Sequence, residues 1–475
     1  MTLTEHEARV AHDLACIGHG AATWVTPRAH AEAAVYDVVI VGGGQSGLGA
    51  AFALQRERVT NILVIDENPA GYEGPWDTYA RMITLRTPKG VISIDLGIPS
   101  LTFRQYWEAQ HGPEGWDAID KIPRADWMAY LRWYRRVLDL PVVNDTRVTL
   151  VEPAADGLHR LHVEGDGAPA SGVLLARKVV LATGIQGGGG WHVPEMVKAL
   201  PKARYAHTAE PIDYAAHAGK RIAILGAGAS SFDNAQHVLG QGVAEAHVFV
   251  RRPTLPVVNP IRFMETSGLI GRFAGLDDAA KYRVMASFFA RVQPPTNDTF
   301  RRAAAWPGFR LHLGAPWLGV EETGDGVAVT TPQGRHLFDF LVLSTGLVTD
   351  PALRPELRLV AGDIVRWGER QAVPAEQANP VIDAHPYLGA GFELQARDAA
   401  GAARLHGLFA FNYSGLISLG LAAAALSGLR FALPRLAHAV AAQLFRDDQS
   451  AMLDAYEAYA EPEFVGLTEP AEAAA

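Results

Sequence analysis

An apolar run, a glycine-rich turn and a helix-forming stretch occur in that order twice along this 475-residue chain. No other feature limits the fold as much. In the first copy Val38-Val39-Ile40-Val41 is apolar without interruption, as a strand buried on both faces of a parallel sheet reads. Gly42-Gly43-Gly44-Gln45-Ser46-Gly47 follows as GxGxxG, and Leu48 to Gln55 begins a helix. A second strand, Ile62 to Ile65, ends in Asp66, close to the roughly 20-residue interval of a ribose-binding acid. In the second copy Ile222 to Leu225 leads into Gly226-Ala227-Gly228-Ala229-Ser230-Ser231. A helix then spans Phe232 to Leu239, and the strand His247 to Val250 ends in Arg251-Arg252.

The two copies also close alike. Arg147 to Val163, the turn Gly165-Asp166-Gly167 and the strand Val179 to Leu181 run into Ala182-Thr183-Gly184. Leu318 to Glu322, the turn Gly324-Asp325-Gly326 and Leu341 to Leu343 run into Ser344-Thr345-Gly346. Such a repeat implies an α/β fold of two Rossmann-like dinucleotide-binding domains, the second inserted into the first. The expected segments are an N-terminal helical extension (1–34), a first nucleotide-binding part (35–190), an inserted domain (191–335) and a returning part with C-terminal helices (336–475). In the extension Val10 and Leu14 lie at helical spacing, and a turn runs from Trp24 to Pro27.

Composition narrows the class. At roughly 150 residues per domain the length allows about two to three domains. With 49% hydrophobic and 20% charged residues the chain reads as globular and not disordered. A net charge of −9 gives the whole molecule no attraction to nucleic acid or anionic membranes. Cys16 stands alone, which excludes intrachain disulfides, CxxC zinc sites and dithiol redox centres. The histidines show no ligand spacing, so no metal is expected. Gly415 to Gly428 is the most apolar stretch and falls short of the ~18 residues a membrane span needs. Met1 to Arg9 carries no apolar core of a secretory signal, and a cytoplasmic protein is expected. Homo-oligomerisation is compatible with all of this.

The glycine loops point to cofactors. Gly42 permits a tight turn, Gly44 lets backbone approach a pyrophosphate, and Gly47 lets helix and strand pack closely. The helix N-terminus then offers unpaired N–H groups to that anion. Gly226, Gly228 and Ser231 occupy the matching positions in the second loop. Asp66 suits ribose hydroxyls, whereas Arg251 and Arg252 suit the 2′-phosphate of NADPH. Two unlike dinucleotides follow: FAD at the first loop and NADPH at the second, with reducing equivalents passing from nicotinamide to flavin. A single cysteine closes the dithiol route onward, which leaves oxygen as acceptor; the chain has no HExxH or GxSxG array.

From Val35 to Arg446 the chain resembles the class B flavin-dependent monooxygenases: flavin-containing monooxygenases, Baeyer–Villiger monooxygenases and lysine or ornithine N-hydroxylases. GGGQSG at Gly42–Gly47, LATG at Leu181–Gly184, GAGASS at Gly226–Ser231 and LSTG at Leu343–Gly346 carry the likeness. Gly74-Pro75-Trp76 resembles the family's GGTW segment, whose tryptophan lies near the flavin. Tyr79 to Lys89 (YARMITLRTPK) resembles a stretch lining the isoalloxazine, and Arg86 stands where flavin-containing monooxygenases carry an asparagine. The same stretch is similar to TLRDP of the N-hydroxylases, and Ile122 to Trp133 (IPRADWMAYLRW) to their Arg-x-x-Phe-x-x-Tyr-Leu-x-Trp helix. Asn412-Tyr413-Ser414-Gly415 resembles the segment meeting the flavin's pyrimidine edge.

The resemblance implies a monooxygenase that puts one oxygen atom from O2 into a small nitrogen, sulfur or heteroaromatic nucleophile through a flavin C4a-hydroperoxide. Arg86 would donate to the peroxide or anchor the substrate, and Asn412 would bond the flavin ring. Trp76 and Tyr79 would stack on flavin or substrate, and His207 would touch NADPH or hold the interdomain hinge. Lys89 reads as helical surface or a carboxylate partner, and Gly187 to Gly190 as the crossover between domains. His385-Pro386-Tyr387 falls in the returning half. The FxGxxxH linker survives only as His207, with Pro201 and Ala203 at the other two positions, which argues against a Baeyer–Villiger enzyme. A branch of FAD-dependent urate hydroxylases shares the tryptophan-bearing extension and the IPR…W…YLxW helix. An NADPH oxidase or reductase without oxygenation, and a non-catalytic redox sensor, are the competing readings.

Arg251→Ala should raise the KM for NADPH by roughly tenfold or more and spare NADH, since a guanidinium–phosphate pair is lost. Equal effects on both coenzymes in steady-state assays remove the phosphate assignment.

Overall fold

A computed structural model describes residues 2–371 and 373–464; Met1, Ala372 and the tail 465–475 of the expected returning segment lie outside the described residues. The first sheet takes β1 (Val35–Val41), β2 (Ile62–Ile65), β3 (Val142–Val143), β4 (Arg147–Pro153), β5 (His159–Glu164) and β6 (Val173–Leu181). Their order is β3-β2-β1-β6-β5-β4, with Leu408–Phe409 of the returning half added in parallel to β6. β1 is parallel to both neighbours, so Val41, Ile65 and Leu181 end in register along one edge. That shared edge places the first glycine loop, Asp66 and the Ala182-Thr183-Gly184 turn together. Val38, Val39 and Ile40 are wholly buried, as their uninterrupted apolar run implied.

The chain leaves through β7 (Gly189–Trp191) and a single-turn helix to build a second parallel sheet. This sheet takes β8 (Tyr205–His207), β9 (Arg221–Leu225), β10 (Glu245–Val250) and β11 (Phe309–Leu313). A separate antiparallel sheet of β12 (Gly319–Thr323), β13 (Gly326–Thr331) and β14 (Gly334–Phe338) follows. β15 (Phe340–Leu343) then enters the second sheet, whose order is β11-β10-β9-β15-β8. The expected boundary at 335/336 is therefore corrected: β15 pairs with β9 and β8, and the inserted unit closes only after Leu343. The chain returns as β16 (Leu347–Thr349), antiparallel to β7, so the outgoing and incoming strands form a two-stranded hinge.

Four helices matter for the site. α1 (Leu3–Cys16) opens with a capping box of Thr2 and Glu5 and buries Val10 and Leu14. α2 (Gln45–Arg56) follows the first glycine loop and lies on the C-terminal helix Leu426–Ala458. There a Cβ on Gly49 would stand 2.7 Å from Leu433 Cδ1, so a larger residue would make that leucine side chain shift. α3 (Phe103–Ala118) and α4 (Arg124–Val137) stack Phe103, Tyr106, Trp127, Tyr130 and Trp133 into one aromatic layer. α1 docks on it through His6 stacked on Trp133, and Glu7 accepts from the Trp133 indole N–H at 3.2 Å. No described helix is long and apolar enough to cross a membrane.

One feature escaped the sequence reading. Between β10 and β11 the chain forms helices at Pro260–Thr266, Leu269–Arg272, Asp278–Arg291 and Asn297–Ala304. Met264, Ile270, Phe273, Tyr282 and Met285 from this excursion share a core with Trp367, Ile382, Leu416 and Leu421 of the returning half. The inserted domain thus grips the first domain on the far side of the hinge.

The C-terminal helix is clasped to β6 by buried charge. Lys178, 1% exposed, donates to Asp447 at 2.7 Å and approaches His406 Nε2 at 3.0 Å; the neighbouring Arg177 donates to Asp448 at 2.8 Å. Burial pushes the Asp447 carboxyl up, yet hydrogen bonds from His406 and Lys178 overcome it and hold the group down at about 2. Its stabilisation is complete above the usual carboxylate range and fades as the pH falls towards that value. Asp447→Ala strands the Lys178 ammonium in the sheet and should cost about 2–4 kcal/mol in urea unfolding. Adding Lys178→Met should recover most of that loss; a double variant no more stable than the single one refutes the account.

Candidate active site

The first loop is shaped by what it touches. Gly42 has φ 108°, and a Cβ there would lie 2.5 Å from the Ala182 carbonyl oxygen at the end of β6. A Cβ on Gly47 would overlap the Gly42 carbonyl oxygen, while Gly44 faces the Cα of Gly74. The second loop repeats the arrangement: Gly226 has φ 149°, a Cβ there would overlap the Ser344 carbonyl oxygen, and Gly228 faces open space. Ser231 is fully buried beneath that turn, close to where a Cβ on Gly226 would fall. The helices that follow, α2 and Ala229–Gly240, are each preceded by a glycine N-cap with no side-chain cap. Their first N–H groups therefore face outward with the positive end of the helix dipole, as an anion requires.

Asp66 stiffens the first loop. Its carboxylate accepts from the Gly43 N–H at 2.7 Å, the Asn68 N–H at 2.8 Å and the Asn68 side chain at 2.9 Å. Burial raises its pKa against those bonds. Beside it Glu73, not singled out from the sequence, accepts from Arg135 at 2.6 Å, Asn144 at 2.7 Å and the Gly71 N–H at 2.9 Å. Gly43, Gly71, Glu73, Met128, Arg132 and Arg135 line a cavity of about 500 Å³ here. Trp76 packs edge-on against Trp127, and its indole N–H is buried with no partner. The Trp127 N–H reaches Gln45 at 3.2 Å. A buried donor left unmatched costs about 1–3 kcal/mol. Together with the uncapped helix ends it fits a bound dinucleotide.

The segment after Trp76 lies between the domains. Tyr79 is half-buried, which raises its pKa, with a hydrogen bond to Gln186 of the crossover opposing. Arg86 reaches across to an ion pair with Asp233 on the helix Ala229–Gly240, and its own carbonyl accepts from Arg262 at 2.6 Å. Lys121 pairs with Asp298 at 2.6 Å in the same interface. Arg86 therefore joins the two units, its charge met by Asp233 while its Nε–H is buried with no partner. Lys89 departs from expectation: it donates to the Trp116 and Ile119 carbonyl oxygens, each at 2.7 Å, and closes the end of α3.

Two further residues singled out from the sequence lie at the hinge. The His207 ring donates from Nε2 to the Gly346 carbonyl at 3.0 Å and accepts at Nδ1 from the Ala209 N–H at 3.2 Å. It stacks on Trp191, and burial pushes its pKa down to about 4, so the ring is neutral. Both ring nitrogens are thus spent within the hinge. Asn412 is also committed: its amide donates to Thr183 Oγ1 at 3.0 Å and the Gly187 carbonyl at 3.3 Å, and accepts from the Ser414 N–H at 2.9 Å. It positions the crossover and has no donor left for a flavin. His385 is buried and donates from Nδ1 to the Val381 carbonyl at 2.6 Å, while its Nε2 has no partner. Arg251 is exposed at the end of β10, and Arg252 donates to the Ala290 carbonyl at 3.1 Å. Among the described residues no group of three or more potential ligands could hold a metal ion.

Comparison with known proteins bears on this geometry. Residues 39–186 match an FAD-NAD(P)-binding family, and residues 118–285 match the L-lysine 6-monooxygenase/L-ornithine 5-monooxygenase family. The FAD-dependent urate hydroxylase of Xanthomonas campestris pv. campestris is 66% identical over 468 residues, 98% of each chain. Ornithine hydroxylase PvdA from Pseudomonas aeruginosa superposes with a TM-score of 0.66 at 18% identity, over 86% of this chain and all of its own. The cadaverine monooxygenase DfoA of Erwinia amylovora, solved bound to FAD, gives 0.61 at 16% identity over 93% of this chain and all of its own.

His207→Phe keeps the stack on Trp191 and removes the bond to Gly346, at a cost of about 1–2 kcal/mol. Amide exchange in β7 and β16 should quicken while β1 and β9 stay protected; unchanged exchange in the hinge strands refutes the role.

Proposed function

The chain belongs to the class B flavin-dependent monooxygenases, and from that premise we propose that it is a urate-type hydroxylase using FAD, NADPH and O2. The 66% identity to the Xanthomonas enzyme, over 98% of the chain, carries this reading. The N-hydroxylases share the architecture at 16–18% identity, which speaks to fold alone. An ammonium substrate would need a spare carboxylate in the cleft. Asp77, Asp233 and Asp298 are each already paired with a cation of the protein.

FAD, reduced by NADPH, supplies the activation of O2 that no side chain here can provide. The protein's own part is binding, orientation and exclusion of water. Gly42, Gly44 and Gly47 with the uncapped start of α2 would hold the FAD pyrophosphate, Asp66 its ribose, and Trp76 would donate its unmatched N–H. Gly226, Gly228 and Ser231 would shape the NADPH loop, with Arg251 and Arg252 at the 2′-phosphate. His207 and Asn412 act by positioning the hinge between the two sites. The aromatic layer of α3 and α4 keeps water from the first domain's interior. The overall balance is one NADPH, one proton and one O2 per urate, giving hydroxylated purine, NADP+ and water.

In air-saturated buffer the FAD-loaded protein should consume urate, NADPH and O2 in equal amounts, and leave ornithine and lysine unchanged. Peroxide formed in step with NADPH whatever the purine would identify an oxidase. Absence of NADPH oxidation would identify a sensor, and hydroxylated ornithine an N-hydroxylase.

A further inference from the structure

Among the described residues of the interdomain cleft, Arg81 is a half-buried cation with no carboxylate partner. The charged groups facing it come from the segment Asp77–Lys89, the start of α4, the helices Ala229–Gly240, Pro260–Thr266 and Asn297–Ala304, and the loop at Tyr214. Asp77 is shared by Arg124 at 2.9 Å and Arg132 at 2.6 Å, and Asp233 is taken by Arg86. Asp298 serves Lys121 at 2.6 Å and Arg302 at 3.1 Å, and Glu265 serves Arg262 at 2.9 Å. Lys89 also lacks a carboxylate but is met by the Trp116 and Ile119 carbonyl oxygens, whereas Arg81 is left with a single carbonyl. Half-buried, it donates only to the Thr78 carbonyl oxygen at 2.8 Å, and its guanidinium lies 5.7 Å from the Tyr214 ring centroid.

The surroundings make that charge costly. Tyr214 is fixed by its hydroxyl on Asn234 at 2.6 Å, and its ring meets His237 edge-on at 5.6 Å. His237 lies one turn beyond Asp233 on the same helix face. Burial, followed by the charges of Arg81 and Arg124, pushes the imidazole down to about 4, so it adds no charge of its own at neutral pH. Burial and Arg124 also work against the Arg81 charge, with Tyr214 opposing. A guanidinium cannot shed its proton to escape this, so an anion from outside would relieve the deficit.

We propose that Arg81, backed by Arg124 and flanked by Tyr214 and His237, is the anion-binding anchor that receives the negatively charged edge of the substrate and orients its ring. The proposal rests on the urate reading above. The coenzyme is the other anion in the cleft, and its geometry differs. Its pyrophosphate belongs at the N-terminus of the helix beginning at Ala229, and His237 lies about 12 Å further along that helix axis. Arg86 is then the interdomain latch, already neutralised by Asp233, while Arg81 carries five planar N–H donors of which one is used.

The test titrates urate, and separately NADP+, into FAD-loaded wild type, Arg81→Gln and Arg81→Lys by calorimetry. Arg81→Gln should weaken urate roughly 10- to 100-fold, with Arg81→Lys in between, and leave the Kd for NADP+ within about twofold. Without urate the thermal midpoint of Arg81→Gln should equal or exceed that of wild type, because an unmatched cation has gone; a merely structural arginine would lower it. Equal urate affinity in wild type and Arg81→Gln overturns the anchor alone. Loss of NADP+ binding with urate spared assigns the anion to the coenzyme and also overturns it. A wild type that binds no urate removes the urate reading and the anchor with it.

Discussion

The structure depends on how closely a glycine turn can approach the end of a neighbouring parallel strand. In both nucleotide-binding units the first glycine lies against a carbonyl oxygen of the residue before Thr-Gly, Ala182 in one and Ser344 in the other. Any side chain at Gly42 or Gly226 would push the turn off the sheet and tilt the following helix. That approach sets where α2 and the helix Ala229–Gly240 begin, and so where their uncapped N–H groups point. It also fixes the Thr183-Gly184 and Thr345-Gly346 turns, from which the chain leaves for the inserted domain and comes back. Cofactor cradle and hinge are thus two sides of one steric contact.

The hinge is kept narrow by neutral bonds and the cleft by charged ones. Between β7 and β16 the ring of His207 and the amide of Asn412 meet backbone carbonyls, N–H groups and a threonine hydroxyl, with no ion among them. Neutral pairs of this kind hold their geometry through changes of pH and salt. Across the cleft, Arg86–Asp233 and Lys121–Asp298 join the domains by ion pairs that are partly buried. Such pairs are directional and lose much when one partner is displaced, so they specify one closed arrangement more than they stabilise it. The helical excursion at Pro260–Arg291, packed on Trp367 and Leu416, anchors the far side by apolar contact.

Much of this was legible before any coordinates, for physical reasons. Uninterrupted apolar runs, glycine spacing and the Thr-Gly repeat follow from short-range sterics, so β1, β9 and both loops could be read directly. The placement of β15 could not be read from a composition change, because the hairpin β12–β14 separates it from the sheet it completes. The excursion after β10 has an amphipathic pattern that looks the same whichever domain it covers. The roles of Lys89, His207 and Asn412 are hard to read from sequence for a common reason: each is polar and sits in a motif, and its partners include backbone groups that leave no trace in side-chain patterns. Arg81 was passed over beside Arg86 because sequence shows charges and not which of them are already matched.

The anion proposed for Arg81 would have to be held by a chain of net charge −9. Exposed carboxylates on the outer surface act through water and salt, and their influence fades within roughly 8 Å at physiological ionic strength. Inside the cleft the dielectric is lower and the distances shorter, so one unmatched guanidinium outweighs a diffuse surplus far away. The protein spends its nearby carboxylates on Arg86, Arg124, Lys121 and Arg262 and leaves Arg81 without one. A field of this kind does little to draw anions in from a distance. On the proposed reading it would select among molecules already in the cleft, favouring a flat anion that can meet the guanidinium edge over a cation of similar size.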